Sequence, residues 1–290
     1  MKVIRTIQEM QEIVKQLKQN QKKVGFVPTM GYLHEGHTAL IDQARNNNDI
    51  VIMSIFVNPL QFGPNEDFDK YPRDEMHDKQ IAEDHGVDYL FLPTVDEMYP
   101  DQMGISMTAT DRVNVLCGKS RPGHFSGVIT VLTKLFHITQ ADDVYFGNKD
   151  AQQVAVVDQL ISNLNFPVTL HMIPTVRESD GLAKSSRNVY LNGKERSEAV
   201  YLYHSLCLAQ QKIFDGEKNP AIIVNEVKKY IQSNTSGTID YVEILTFPTL
   251  QPIEEINQQF IIAVAVQFDK ARLIDNFMMS ADGKIDHIAL

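Results

Sequence analysis

The feature that most constrains this chain is an alternation. Short, β-rich apolar runs take turns with helix-patterned stretches over roughly the first 175 residues. KVGFVPTM, DIVIMSIFVNP, VDYLFLP, DDVYFGNK and VTLHMIP each read as buried strands that end in turn residues. Between them, HTALIDQARNNN, RDEMHDKQIAEDHG, GHFSGVITVLTKLFHITQ and AQQVAVVDQLISNLN carry helical patterning. Strand–helix alternation predicts an α/β fold, a Rossmann-like parallel sheet with helices on both faces. Ligands of such sheets bind beyond the C-terminal ends of the strands, near a switch in strand order. The N-terminal stretch MKVIRTIQEMQEIVKQLKQNQKK is charged throughout and predicts an amphipathic helix.

The pattern changes after Val176. RESDGLAKSSRNVYLNGKER is polar and basic and reads as a loop. Two helical stretches follow, ERSEAVYLYHSLCLAQQKIFDG and AIIVNEVKKYIQSN, the second led in by Asn219-Pro220. Then come strand-like runs, DYVEILTF and FIIAVAVQF, with a turn around Pro248 to Pro252 between them. The expectation is a Rossmann-like domain over residues 1–176 and a smaller C-terminal α+β lid domain over 177–290.

Composition removes several function classes. The 290 residues are 43% hydrophobic and 22% charged, an ordinary globular balance. No window holds eighteen unbroken apolar residues, so no membrane span is expected. The N-terminus lacks the apolar core and small-residue cleavage site of a secretory signal, which makes a cytoplasmic location the expectation. A formal charge of −10 disfavours a nucleic-acid partner, whose phosphates call for a basic face. Cys117 and Cys207 lie far apart and form no CxxC, so both read as reduced thiols.

The first candidate site is Met30-Gly31-Tyr32-Leu33-His34-Glu35-Gly36-His37, between a strand and a helix. His34 and His37, three apart, share one face of a first helical turn. A helix N-terminus offers free N–H groups and a positive dipole end to a phosphate. Two imidazoles there can donate hydrogen bonds and stabilise charge that develops during transfer. Gly31 and Gly36 permit close backbone approach to a base or phosphate. The spacing is not the HExxH of zinc proteases. A two-histidine metal site without a third ligand, or a pair that only caps the helix, stays open at this point. The phosphate-loop and dinucleotide glycine motifs are both missing.

Other segments fit the same picture. Asn58-Pro59 leads from the second strand to Gln61, and neutral amides can orient a carboxylate without quenching its nucleophilicity. Arg121-Pro122-Gly123-His124 precedes a helix and reads as a mobile basic lip or a helix cap. At Gly147-Asn148-Lys149-Asp150, Gly147 permits close approach, Lys149 can neutralise phosphate, and Asp150 can hold magnesium directly or through water, or equally be only a first-turn acid favoured by the helix dipole. Lys184-Ser185-Ser186-Arg187 puts two cations and two hydroxyls at a domain junction, and reads as a solvated linker or as a lid over phosphates.

Taken together, PTMGYLHEGH, SIFVNPLQFGPNEDFDKYPRD, RPGHFSGV, FGNKDAQQ and VRESDGLAKSSRN resemble the pantothenate synthetase (pantoate–β-alanine ligase) family of the HIGH/KMSKS nucleotidyltransferase group. The blocks run in family order across most of the first 190 residues, and ARLIDN is similar too. The resemblance implies that pantoate and ATP give pantoyl adenylate and pyrophosphate, and that β-alanine then displaces AMP. It implies magnesium and a homodimer. It places Met30 to His37, Gly147 to Asp150, Val176 and Lys184 to Arg187 at ATP, with His37 as proton donor and His34 as its phosphate-binding neighbour. Gln61 would contact pantoate and β-alanine, Gln153 pantoate, with Asn58, Arg121 and His124 around them. Two positions depart from the common pattern: Lys184 stands where many members carry methionine, and Asn148 where many carry glutamate.

Rival functions fare less well. A nucleotidyltransferase with a phosphate-bearing acceptor calls for more cations, and the neutral amides of Gln61 and Gln153 fit a small polyol acid better. A nucleotide sensor would have no reason to keep His34, His37, Lys149, Ser185, Ser186 and Arg187 together. A tRNA-charging enzyme is disfavoured by the acidic charge and the lack of an anticodon-sized extension.

Overall fold

The computed structural model describes residues 1–64, 66 and 68–285, so Asn65 and Asp67 of the SIFVNP block and the last five residues of the expected lid domain lie outside the described residues. In chain order the first half comprises β1 (Lys2–Ile4), α1 (Ile7–Gln19), β2 (Val24–Thr29), α2 (Glu35–Asn47), β3 (Ile50–Ile55), α3 (Glu75–Asp84) and β4 (Tyr89–Phe91). The short α4 (Val95–Met98) and α5 (Leu116–Ser120) follow, then α6 (His124–Thr139), β5 (Asp143–Gly147), α7 (Ala151–Leu164) and β6 (Thr169–Ile173). The six strands form one sheet in the order β1-β4-β3-β2-β5-β6, and all the pairings are parallel. Helices cover both faces. Val24 and Phe26 pack into a core shared with α1, α6 and α7, whereas Val27 joins Leu40, Ile41 and Ala44 of α2. Burial on both sides is why these strands are continuously apolar.

The order matters for the site. From the central β2 the chain builds outward through β3 and β4 on one side, then crosses to build β5 and β6 on the other. The switch therefore falls between β2 and β5. Their pairing covers only Gly25 with Asp143 and Phe26 with Val144, against six pairs between β2 and β3. Beyond Phe26 the two strands part, and a crevice opens at their C-terminal ends.

The N-terminus corrects one expectation. Lys2–Ile4 is a strand on the sheet edge, with Val3 opposite Leu90, rather than part of a helix. The helix begins at Ile7, where the Thr6 side chain accepts the Glu9 N–H. A three-residue strand is too short to show a period of its own beside the amphipathic helix that follows.

The second half contains α8 (Gly193–Phe214), α9 (Pro220–Asn234) and the strands β7 (Thr238–Thr246), β8 (Phe260–Gln267) and β9 (Arg272–Met279), which form an antiparallel sheet in the order β7-β8-β9. The sequence pattern gave the first two strands; β9 is an addition. In the central strand β8, Ile262, Val264 and Val266 pack with α8 and α9, while Ile261, Ala263 and Ala265 join the core under the large sheet's helices. The small sheet is thus buried on both sides and seats β9 beside the end of β5.

Candidate functional site

The segment after β2 is a strained loop held from outside. Gly31 has φ of 87° and Tyr32 of 51°. A Cβ on Gly31 would lie 2.8 Å from Asp78 Oδ2 and 2.9 Å from Ile55 Cγ2, so only glycine fits. Asp78, buried on α3, accepts the Tyr32 N–H (2.8 Å) and the Leu33 N–H (2.7 Å). Burial raises the Asp78 carboxyl despite these two hydrogen bonds. Nothing in the sequence singled out Asp78, because one aspartate on a charged helix has no pattern to mark it.

At the start of α2, His34 and His37 form a reciprocal cap. His34 Nδ1 accepts the Gly36 N–H (3.1 Å), and His37 Nδ1 accepts the His34 N–H (3.2 Å). The imidazoles thus occupy the two roles that serine and glutamate fill in an ordinary capping box. With both Nδ1 atoms accepting, a neutral ring carries its proton on Nε2. The rings lie 4.1 Å apart. Burial, followed by the charge of Lys149, holds His34 down to about 4. Burial, then His34 and Lys149, holds His37 well below its ordinary value. At neutral pH both are uncharged Nε2–H donors. The capping reading and the phosphate reading of the pair are therefore compatible, because different nitrogens serve each.

After β3, Asn58 caps a 3₁₀ turn of Pro59–Gln61. Its amide donates to Gln61 Oε1 (3.2 Å) and to the Gly127 carbonyl (3.0 Å), while its own oxygen accepts from Tyr99 (2.9 Å). Gln61 is held by its oxygen, and its NH₂ points to Met30 Sδ at 3.0 Å. Sulfur is a weak acceptor, so this amide donor stays available to a stronger one. Arg121 is anchored rather than a free lip: its guanidinium grips Glu66 at 2.5 and 2.7 Å and reaches the Gln61 carbonyl at 3.3 Å. His124 Nδ1 meets the same carbonyl at 2.7 Å. Burial and then Arg121 lower His124 to about 4.

At the end of β5, Gly147 leads into a 3₁₀ turn of Asn148–Asp150. Lys149 Nζ lies 3.7 Å from the half-exposed Asp150 carboxylate. Asn148 is buried, and its carbonyl and that of Lys149 both accept from Asn276 (3.0 and 2.9 Å). In the linker after β6, the Lys184 N–H returns to the Val176 carbonyl (2.9 Å). The Lys184 ammonium pairs with Glu35 (3.0 Å) and Glu178 (2.9 Å), so its charge is already matched, and it ties the linker to the first turn of α2. Ser186 Oγ donates to the Tyr32 carbonyl (3.3 Å), and Arg187 lies over the Tyr71 ring.

These segments meet around one cavity of about 240 Å³ at the β2/β5 switch. Met30, His34, Gly36, His37, Gln61, Gly147, Lys149, Asp150, Gln153, Val176 and Lys184 to Arg187 line it, together with Arg121 and His124. The cavity adjoins a wider one of about 660 Å³, which shares Arg121, His124, Lys149, Asp150, Gln153, Ser185 and Arg187 with it and reaches the small sheet. Gly31, Leu33, Asn58 and Asn148 are buried behind the wall, Tyr32 is partly covered, and Glu35 is on the exposed side of α2. Asp78, Tyr99 and Asn276 shape the wall through contacts more than forty residues away in the chain; Asp78 and Tyr99 had no sequence signal, and Asn276 was marked only as the last residue of ARLIDN. Among the described residues no group of three His, Cys, Asp or Glu side chains converges on a metal position. No helix there is long and apolar enough to cross a membrane.

The chain matches the family model for pantoate-beta-alanine ligase over residues 2–278. It is 58% identical over 280 residues to a pantothenate synthetase of Bacillus cytotoxicus, covering 97% of this chain and 99% of the relative. A Bacillus cereus pantothenate synthetase is 55% identical over the same shares. Among solved structures, pantothenate synthetase from Thermus thermophilus superposes with a TM-score of 0.90 at 40% identity, covering 97% of this chain and 99% of that one. A Francisella tularensis pantoate-beta-alanine ligase, complexed with β,γ-ATP and β-alanine, gives a TM-score of 0.79 at 36% identity, covering 96% and 97%.

Proposed function

This chain belongs to the pantoate–β-alanine ligase family, and we infer that its cleft joins (R)-pantoate to β-alanine in two ATP-driven steps. It is an AMP-forming ligase that makes a C–N bond. The observation that carries the reading is the composition of one cavity: neutral imidazole donors and Lys149 at one part, the amides of Gln61 and Gln153 at another. Phosphate requires the first set, and a small hydroxy acid whose carboxylate must remain a nucleophile suits the second.

In the first step a pantoate carboxylate oxygen bonds to the α-phosphorus of ATP, and the bond from that phosphorus to the pyrophosphate oxygen breaks. Gln61 and Gln153 hold the acid without neutralising it as an arginine would. Lys149, Ser185, Ser186 and Arg187 face the phosphates, while Met30, His34, Gly36, His37, Gly147, Asp150 and Val176 line the rest of the nucleotide site, with Gly31, Leu33 and Asn148 buried behind it. His34 and His37 act as hydrogen-bond donors through Nε2–H, and their depressed basicity argues against a charged acid at neutral pH. In the second step the neutral β-alanine amine bonds to the acyl carbon, the bond from that carbon to the AMP oxygen breaks, and the nitrogen gives up one proton to solvent as the amide forms. Gln61 contacts both pantoate and β-alanine. Magnesium fits this site through Asp150 together with phosphate oxygens of ATP itself, a mode that suits an ion which binds few protein carboxylates. When bound it would neutralise phosphate charge.

The same reading divides the chain into a catalytic domain of residues 1–176 and a lid of 177–290, assembled as a cytoplasmic homodimer whose mass light scattering would report. The test of function is AMP release from ATP and magnesium with pantoate, with and without β-alanine. One pantothenate per AMP, only with both substrates, is the expected result. Turnover that ignores β-alanine would overturn the choice of amine. His37→Asn keeps an acceptor for the cap but loses the Nε2–H donor, and its rate should fall roughly 10²–10³-fold. A folded His37→Asn enzyme near the wild-type rate would remove His37 from the chemistry.

A further inference from the structure

The two segments that face the nucleotide phosphates in this reading come from distant parts of the chain, and two consecutive residues of β9 touch both. Asn276 is buried, and its single amide nitrogen donates to the carbonyls of Asn148 and Lys149. Its neighbour Asp275, also buried, takes a two-pronged grip from Arg177 (2.6 and 3.0 Å). Arg177 in turn donates to the Gly181 carbonyl (3.1 Å) and lies 4.5 Å over the Tyr203 ring, so it fixes the start of the linker that leads to Lys184–Arg187. Asp275 Oδ1 also accepts the Asn276 backbone N–H (2.8 Å), which couples the two clasps. Both carbonyls served by Asn276 belong to a short 3₁₀ turn, where the backbone does not satisfy them within a longer helix. That turn decides where Lys149 points.

We propose that Asn276 is a positioning residue of the nucleotide site, one that sets Lys149 against the Lys184–Arg187 linker through the Asp275–Asn276 pair on β9. The small sheet then does more than cover the cleft, because its edge strand registers the two phosphate-facing segments to each other. A buried amide with two acceptors suits this task, since it fixes a backbone position without placing a charge beside the phosphates.

The inference rests on the nucleotide reading of the cleft, and its test is direct ATP binding, which depends on neither the acid nor the amine. Asn276→Asp keeps the size of the side chain but removes the donor. Calorimetric ATP affinity, with magnesium present, should weaken about tenfold or more in this variant. The β-alanine KM should stay within about twofold of wild type. Ile262→Val, in the core on the far side of the same sheet, should lower the unfolding midpoint and leave ATP affinity alone. Should Asn276→Asp fail to fold, Asn276→Ala is measured in the same way. Unchanged ATP affinity in a folded variant, an equal loss in Ile262→Val, or failure of both Asn276 variants to fold would assign Asn276 to the fold alone and overturn the proposal. A wild-type protein that binds no ATP would instead overturn the nucleotide reading itself.

Discussion

His34 and His37 use one ring nitrogen for the helix cap and leave the other for the cleft. The cost of this arrangement appears in the pH dependence of stability. His34 titrates at about 4 in the folded protein against 6.5 for an ordinary histidine, and burial is the main cause. The unfolded chain therefore binds the proton more tightly than the folded one, so stability falls as pH drops through 6.5 and stops falling from this source near 4. His124 is lowered to about 4 as well and acts in the same direction. Asn is a favoured cap residue and supplies an acceptor for the Gly36 N–H without a titrating ring. His34→Asn should accordingly show a shallower loss of thermal midpoint across that window than wild type. An identical slope in the two proteins would assign the acid sensitivity to other groups.

At the level of elements, the Gln61 side of the cleft depends on how closely α6 meets the turn after β3. Gly127 is the contact point, and a Cβ there would sit 2.1 Å from the Leu60 carbonyl oxygen and 2.6 Å from the Gln61 nitrogen. Both are backbone atoms, so the clash cannot be relieved by a side-chain rotation. The Gly127 carbonyl also accepts from Asn58, whose amide orients Gln61. Gly127→Ala should push the turn away from α6, with a loss of stability of about 1–3 kcal/mol from overpacking. The pantoate KM should rise several-fold while ATP affinity changes little. Equilibrium denaturation and initial-rate kinetics on the same preparation would check both, and an unchanged pantoate KM would show that the turn adjusts without moving Gln61. The helix itself was legible in GHFSGVITVLTKLFHITQ, but this glycine's partner was not. Helical periodicity reports which face is buried and does not say what backbone lies across it.

Across the whole molecule, the linker after β6 spans the two sheets and crosses the open end of the cleft. Lys184 bridges Glu35 on α2 and Glu178 in the linker, and Ser186 reaches the Tyr32 carbonyl. The Glu35 end of that bridge is largely exposed, and a surface ion pair of this kind contributes little stability. Such a segment can close further when a nucleotide adds its phosphates to the set of partners. Tryptic cleavage after Lys184 and Arg187 should slow when ATP and magnesium are added. Equal cleavage rates with and without ATP would argue against closure of this segment.

The sequence by itself determined the parallel α/β sheet, because strands buried on both faces must be continuously apolar and helices must connect them. It also carried the segments that line the cleft, since each is a compact run of polar and glycine residues, most of them just after a predicted strand. Lys2–Ile4 and β9 escaped that reading, the first for want of length and the second because the run from Ala271 onward shows no clean alternation. Tertiary structure alone decided what holds those segments in register. Asp78, Tyr99 and Asn276 each contact the site from more than forty residues away. A local pattern cannot encode such a partner, because the contact exists only once separate elements have packed, with their buried backbone donors and acceptors requiring partners wherever the fold brings them.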